Sequence, residues 1–335
     1  MTSRNTLAGA VSEGADEGAA SPASLDLIEV RLEVPLQCDG WRLDRFVQYR
    51  ISRLSRTRIQ KIIRCQEGLG GEACRCASRV RGGQEIVLLR PAPDEPEVPR
   101  DYRVIYCDGP LIVIDKPAGL PVHATARYHR HTLMAFLRED YDPPYPRLVH
   151  RLDKETSGIL LLCRDPVLES ALKGELAHRR VHKRYLAIVK GRLPQDEGMI
   201  DAPIGRHPES GIRVKMCVRP EGLPARTRYR CLHRRGDYAL VAAEPETGRQ
   251  HQIRVHLSHL GAPLVGDKLY GPDPACMLEY LETGWTESLA ARLELPRHAL
   301  HAAHVELRHP ERGETLVLDC PLPADLQAFW DGLGV

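Results

Sequence analysis

The stretch "LVHRLDKETSGILLLCRDP", from Leu148 to Pro166, carries the clearest local signals for the fold. The segment "SGILLLCRD" within it is rich in apolar residues and predicts a buried β-strand. Asp165 and Pro166 then predict a helix start, because an aspartate can cap free backbone amides and proline suits the first helical position. We expect Asp153 on the loop before this strand, a common place for functional groups.

Strand pairs extend on both sides of this stretch. Before it, "YRVIYCDGPLIVIDKPAG" has two apolar runs around Asp108 and Gly109, which predicts a β-hairpin. After it, strands are predicted in "KRYLAIVKG" and at 229–233, 238–244, 303–308 and 315–319. Because helices are interspersed irregularly, the pattern favours an α+β domain with a mainly antiparallel, mixed sheet and flanking helices.

The chain of 335 residues is long enough for two domains. Residues 1–24 are small, polar and acidic, and we predict a disordered tail. A small helix and strand module is expected at 25–90, and the proline-rich stretch 91–100 is predicted to be a stiff linker. The larger domain is then expected at 101–335.

Charge is distributed unevenly along the chain. Residues 41–90 carry twelve Arg and Lys against four Asp and Glu, whereas residues 1–40 carry two against seven. Apolar periodicity predicts a helix from Leu43 to Leu54, followed by a second that Ser55 caps. The second helix would point Arg56, Lys61 and Arg64 outward. This basic module indicates an anionic partner such as nucleic acid, although a merely solvated helix face is the alternative.

Several classes of protein are disfavoured by composition. No long apolar run or secretory signal is present, so we expect a cytoplasmic protein that does not cross a membrane. The ten cysteines are scattered through a long chain, which favours free thiols. Histidines repeat near the end of the chain without a recognised metal-binding spacing, so no metal site is predicted. No phosphate loop or dinucleotide fingerprint is present.

The triplet Arg-Leu-Asp occurs twice, and the two copies have different contexts. Asp44 opens a helix beside core residues, which predicts capping or an ion pair with an arginine. Asp153 lies between Arg151 and Lys154, whose charges favour an ionised carboxylate that could act as a nucleophile. From the residues alone, an ordinary ion pair in a loop is the favoured interpretation of Asp153.

Five motifs, taken together and in order, closely resemble the RluA-type family of RNA pseudouridine synthases. They are "VIDKPAGLPVH", "HRLDKETSG", "KRYLAIVKG", "TGRQHQIRVHLSHLGAPLVGDKLYG" and "RHALHAAH". The stretch 41–90 resembles an S4 RNA-binding domain, except at "CQEGLGGEACRC", where that domain commonly has a strand and an Asn-Gly turn. The resemblance implies an isomerase that needs no cofactor.

The resemblance also implies roles for individual residues. Asp153 would be the nucleophile, at either the ribose C1′ or the uracil C6, and Arg254 would hold it ionised. Tyr185 would stack on the uracil and could act as the base at C5. Arg151 would fill the place of the flipped base or hold a phosphate. Leu300 would lie near the flipped base, although plain core packing is an equal alternative.

We therefore predict a monomeric enzyme that converts uridine to pseudouridine in structured RNA. Ribosomal RNA of the large subunit is favoured over transfer RNA, because the S4-like module accompanies such substrates in the family. One alternative is a catalytically silent RNA-binding factor in ribosome assembly. Another is a nucleosidase or glycosidase, which would need a second carboxylate, and Glu155 is the only nearby candidate.

Overall fold

The computed structural model forms two compact units, one before residue 95 and one from Glu95 onward. The predicted acidic tail lies outside the residues that it describes. The described residues are 27–52, 54–67, 74–91, 95–125, 128–273 and 275–334.

The first unit packs two helices on a two-stranded sheet. Strand β1 (Leu27–Glu33) pairs antiparallel with β2 (Glu85–Pro91), and a short 3-10 helix spans Leu36–Cys38. Helices α1 (Leu43–Arg50) and α2 (Arg56–Arg64) follow. Their apolar faces form a small core, because Phe46, Ile59 and Ile63 are almost completely buried.

The start of α2 is as predicted, and the end of α1 is not. Ser55 caps α2 by accepting a hydrogen bond from the Arg58 amide at 3.4 Å. Helix α1 ends at Arg50, four residues before Leu54, yet Leu54 still packs against the same core. Apolar residues therefore recur at helical spacing beyond the end of α1, because the chain that follows the helix stays on the same side of the core.

The Asp44 carboxylate makes the ion pair that was predicted for the first triplet. It is fully buried and binds Arg42 and Arg56, each at 3.1 Å, and it accepts a bond from Gln60 at 2.9 Å. The Arg42 bond holds the pKa of Asp44 far below its usual range, against the effect of burial. Asp44 therefore ties the two helices together, and Arg56 is partly engaged by it.

A ten-stranded mixed sheet organises the second unit. Along the sheet, the order is β3-β4-β6-β13-β7-β12-β11-β8, with β5 beside β6 and β14 beside β13. Every described pairing is antiparallel except β6 with β13. The strands are β3 (Arg103–Asp108), β4 (Leu111–Lys116), β5 (Arg147–Leu148), β6 (Ser157–Cys163), β7 (His182–Lys190), β8 (Glu197–Asp201), β11 (Arg226–Arg235), β12 (Tyr238–Pro245), β13 (Leu300–Arg308) and β14 (Thr315–Asp319). This agrees with the predicted α+β class.

A small second sheet and six helices complete the described part of this unit. Strands β9 (Ile204–Arg206) and β10 (Met216–Val218) pair antiparallel. The helices are α3 (Leu133–Asp140), α4 (Pro166–Ala177), α5 (Gln252–His259), α6 (Cys276–Thr283), α7 (Glu287–Leu293) and α8 (Ala324–Gly332). Among the helices of the described residues, none combines the length and apolarity that a bilayer crossing requires.

The predicted central elements are present in the second unit. Strand β6 is buried along its whole length, and Asp165 caps α4 through the Leu168 amide at 2.7 Å. The Glu95 carboxylate accepts a hydrogen bond from the His131 amide at 2.9 Å, and Glu95 belongs to the second unit.

Candidate active site

The loop that carries Asp153 is anchored at both ends. On one side, the buried ammonium of Lys116 donates to the carbonyls of Pro117, Leu120 and Lys154 at 2.7–3.1 Å. On the other side, the Thr156 hydroxyl bonds to His298 Nε2 at 2.8 Å. Burial lowers the pKa of Lys116 to about 7. Lys116 therefore holds the hairpin end against the loop that carries Asp153.

The end of this loop requires a glycine. Gly158 has a φ of +104°, and a Cβ built there would lie 2.2 Å from the Ala302 carbonyl oxygen. This close approach occurs where β6 pairs in parallel with β13. The Ser157 hydroxyl bonds to His301 Nδ1 at 2.9 Å beside it. The motif "TSG" therefore locks the loop onto the central strand.

Asp153 and Arg254 meet as the resemblance implied. Arg254 Nη1 donates to Asp153 Oδ2 at 2.9 Å, and the Asp153 side chain keeps 24% of its surface exposed. Within the described residues, the other carboxylate oxygen, Oδ1, makes no hydrogen bond. Burial opposes ionisation, but the charge and hydrogen bond of Arg254, together with the nearby His251 and His298, outweigh it, so the pKa of Asp153 lies below its usual value. The carboxylate is therefore ionised at neutral pH and has one free oxygen.

A second aspartate, Asp267, binds the two guanidinium nitrogens of Arg254 that do not contact Asp153. Asp267 is completely buried and takes Arg254 Nε at 2.7 Å and Nη2 at 2.9 Å, a bidentate pair. Its Oδ1 also accepts the amides of Leu269 and Tyr270. Burial opposes ionisation of Asp267, but Arg254 keeps its pKa far below the usual range. The guanidinium is thus shared between the fully buried carboxylate of Asp267 and the half-buried carboxylate of Asp153, which fixes its orientation.

Sequence reasoning did not identify Asp267 or its neighbour Tyr270. The Tyr270 ring lies 4.9 Å from the Arg254 guanidinium carbon, and its hydroxyl bonds to His251 Nδ1 at 2.7 Å. His251 Nε2 is 3.9 Å from Asp153 Oδ2, and burial lowers the pKa of His251 to about 4, so the imidazole is neutral. The spacing Asp267 to Tyr270 is typical of a turn in which an aspartate caps amides, and that signal could have revealed it.

The predicted substrate-facing residues line one cavity of about 430 Å³. Asp153, Arg254, Tyr185, Arg151 and Leu300 all contribute to its wall. Tyr185 and Leu300 are 8% and 4% exposed, so each also belongs to the hydrophobic core. Arg151 is exposed, and its side chain makes no hydrogen bond or ion pair within the described residues. The cavity therefore has an apolar floor, a carboxylate and a free cation.

The predicted basic residues of the first unit lie on the surface of α2, where Arg56, Lys61 and Arg64 are all exposed.

The histidines of the second unit mostly serve as hydrogen-bond partners. His256, for example, bonds to Thr227 Oγ1 at 2.8 Å and to the Ala202 carbonyl at 2.9 Å. Among the described residues, no cluster of His, Cys, Asp and Glu could hold a metal ion.

Comparison with known proteins shows which family this chain resembles over most of its length. Residues 110–259 match the family model of RNA pseudouridylate synthase. The chain is 38% identical to "Ribosomal large subunit pseudouridine synthase D" of Nitrosomonas europaea over 90% of this chain and 86% of that protein. It is 41% identical to an "Uncharacterized RNA pseudouridine synthase" of Chloroflexus aurantiacus over 88% and 90% of the two chains.

A solved structure agrees with these sequence matches. "Human RNA Pseudouridylate Synthase Domain Containing 4" superposes with a TM-score of 0.55 at 30% identity, covering 69% of this chain and 92% of that one. The relatives match over most of both chains, so the likeness is not restricted to single motifs. The chain therefore belongs to the RNA pseudouridine synthases, an isomerase family, which confirms the resemblance seen in its motifs.

Proposed function

We propose that this protein converts uridine to pseudouridine in the ribosomal RNA of the large subunit. The observation that carries the proposal is the ionised Asp153 carboxylate, which Arg254 holds by one oxygen at the wall of a cavity shared with Tyr185. The name of the Nitrosomonas relative supports the large ribosomal subunit as the source of the substrate.

The reaction breaks the bond between uracil N1 and ribose C1′, turns the base, and joins C5 to the same carbon. In the overall change, C5 loses a proton and N1 gains one, so the reaction needs neither an oxidant nor a second substrate. Asp153 acts as the nucleophile through its free Oδ1, at C1′ or at C6. Arg254 stabilises the carboxylate before the attack and remains near it afterwards.

A stacked uridine cannot present C1′ or C6 to a carboxylate, so the nucleotide flips into the cavity. The volume of this cavity, about 430 Å³, lies within the range typical of small-molecule sites, about 300–1,000 Å³. Tyr185 and Leu300 offer apolar surface to the base. Arg151, which is exposed and uncommitted, fills the vacated place in the RNA or holds a phosphate.

Tyr185 combines a platform for the base with a phenol that is protonated at rest, so its oxygen can take the C5 proton only as it gives up its own proton, which ends on N1 in the overall change. Burial, and then the charge of Asp153, raise the pKa of Tyr185 above its usual value. We predict that Tyr185→Phe retains RNA binding, because the ring is preserved, while product formation falls by about 10²–10⁴ if the phenol oxygen transfers the C5 proton. Binding titrations and single-turnover rates measure both quantities. Equal rates for the variant and wild type would leave Tyr185 a packing role only.

The first unit supplies electrostatic affinity in this proposal, as an S4-like module. Lys61 and Arg64 are exposed on α2, whereas Arg56 is partly held by Asp44. We predict that the double change of Lys61 and Arg64 to Gln lowers the slope of binding against salt by about 1.4–1.8, since each phosphate contact contributes about 0.7–0.9. The measurement is a titration at several salt concentrations.

The matched control for this test is Arg31→Gln. Arg31 lies on β1 in the same unit, and its charge is already paired with Glu29 and Glu85 at 2.6 and 2.9 Å. We expect the control to leave the slope unchanged, and the turnover at saturating RNA to be unchanged in both variants. An unaltered slope in the double variant would mean that the basic surface is only solvated.

The proposed function is tested with purified protein and transcribed RNA. We expect pseudouridine in digested large-subunit ribosomal RNA after incubation with the protein, and none in a transfer RNA mixture. Binding of ribosomal RNA without any isomerisation would favour the silent assembly factor. Modification of transfer RNA alone would contradict the proposed substrate while leaving the chemistry intact.

A further inference from the structure

A second cavity adjoins the one that contains Asp153. It has a volume of about 750 Å³, and the two cavities share five wall residues. These are His150, Lys183, Pro245, Thr247 and Gly248. The shared wall lies beside the start of β7 and the end of β12. A chain entering the first cavity can therefore continue directly into the second.

Lys183 stands at this shared wall with an unsatisfied charge. It is two residues before Tyr185 on β7, so both side chains lie on the same face of the strand. Its side chain is half-buried, and within the described residues its ammonium makes no hydrogen bond or ion pair. By contrast, Lys190 on the same strand binds Glu294 at 2.7 Å.

The neighbours of Lys183 do not neutralise it. His150 accepts the Leu161 amide at 3.2 Å, and burial together with the Lys183 charge lowers the pKa of His150 to about 3. Glu246 in the second cavity is already within 4 Å of three guanidiniums, those of Arg179, Arg226 and Arg228. Glu244 and Glu306 also line the second cavity, but neither forms an ion pair with Lys183.

A partly buried ammonium without a partner costs free energy unless a ligand supplies an anion. Burial lowers the pKa of Lys183, with no carboxylate to offset it. RNA provides the matching group, because a flipped nucleotide carries a phosphodiester on each side. Charge-assisted bonds between ammonium and phosphate oxygens are among the stronger hydrogen bonds in proteins.

We propose that the second cavity binds the nucleotide next to the target uridine, and that Lys183 holds the phosphate between the two. The inference rests on the proposed function and deepens it. Lys183 is a binding and positioning residue in this account, since it holds the RNA backbone while Asp153 attacks. Its contribution is therefore expected mainly in substrate binding and less in the chemical step.

A double-mutant cycle between protein and RNA tests the contact. The substrate is a ribosomal RNA fragment whose modified uridine has been mapped with the wild-type enzyme. Two further fragments carry a neutral methylphosphonate in place of the phosphate on the 5′ or the 3′ side of that uridine. We expect one replacement to lower wild-type kcat/KM about tenfold to hundredfold, mostly through KM. The Lys183→Met variant lacks the contact, so its kcat/KM should already be lower by this factor. The same methylphosphonate replacement should not lower it further.

Two variants control the cycle. Lys183→Arg keeps the charge and should retain most of the response to the methylphosphonate. Lys190→Met removes a lysine at the far end of the same strand, about 23 Å away, and should respond like wild type. Equal losses for wild type and Lys183→Met at both positions would overturn the inference.

Two other outcomes are distinct. A collapse of kcat in Lys183→Arg with an unchanged KM would assign Lys183 to proton transfer, which also overturns it. If the wild-type protein forms no pseudouridine in any RNA, the proposed function fails, and the inference fails with it.

Discussion

Asp153→Asn is expected to lower the rate of pseudouridine formation by more than about a thousandfold, or over about 4 kcal/mol of barrier. The amide keeps the size and shape of the carboxylate but removes the nucleophile, whereas binding energy from the rest of the RNA contact is unaffected. We expect RNA affinity and the free energy of unfolding to change little. Single-turnover rates at saturating RNA, with a binding titration, provide the measurement.

The first triplet of the chain supplies the control for this experiment. Asp44→Asn changes the same residue type in the same three-letter context, but Asp44 is buried between Arg42 and Arg56 in the other unit. It should weaken that unit and leave the single-turnover rate at saturating RNA intact. Equal losses of rate in the two variants would show that the proposed division between a structural and a chemical aspartate is wrong.

Asp267→Asn is expected to damage both stability and rate. Removing one partner of a buried pair leaves Arg254 with a poorly compensated charge, which costs about 3–5 kcal/mol of unfolding free energy. Because Arg254 would no longer be held in place, we also expect the isomerisation rate to fall about a hundredfold. Urea unfolding and single-turnover kinetics test the two effects separately.

The stability that Asp267 contributes should decrease as the pH is lowered. Arg254 lowers the pKa of Asp267 in the folded state, so its ionisation contributes stability that is present above the unfolded value of about 3.9. That stability is lost as the pH falls toward the folded pKa. The difference in unfolding free energy between wild type and Asp267→Asn should therefore become smaller below about pH 4.

A surface aspartate offers the matched control. Asp273 pairs with Arg292 at 2.7 Å, but 41% of its side chain is exposed, and such pairs contribute about 0–1 kcal/mol. Asp273→Asn should therefore leave both stability and rate nearly unchanged. If Asp267→Asn behaved like Asp273→Asn, the bidentate pair would have no role in orienting Arg254.

The sequence predicted the elements whose signals are local. The buried run of β6, the Asp165 cap and the Asp108–Gly109 turn depend on neighbouring residues only, and the structure contains all three. The Asp153–Arg254 pair joins residues 101 positions apart and was predicted because several motifs resembled one family. Family resemblance thus supplied a contact that periodicity and propensity could not.

The missed features depend on tertiary structure. Asp267 binds the Arg254 guanidinium only because the turn that follows α5 faces that helix. Neither segment, taken alone, indicates this contact. Lys183 resembles any strand lysine in sequence, and only the cavities show that its charge is unpaired. The end of α1 was placed too late because apolar residues continue to reach the same core beyond the helix.

The central claim is that Asp153 isomerises uridines in large-subunit ribosomal RNA. The most direct test is a map of pseudouridine in total RNA from cells that lack this gene and carry either the wild-type or the Asp153→Asn protein at equal levels. We predict that specific positions in that ribosomal RNA are modified with the wild-type protein and unmodified with the variant. Identical maps from the two strains would contradict the account.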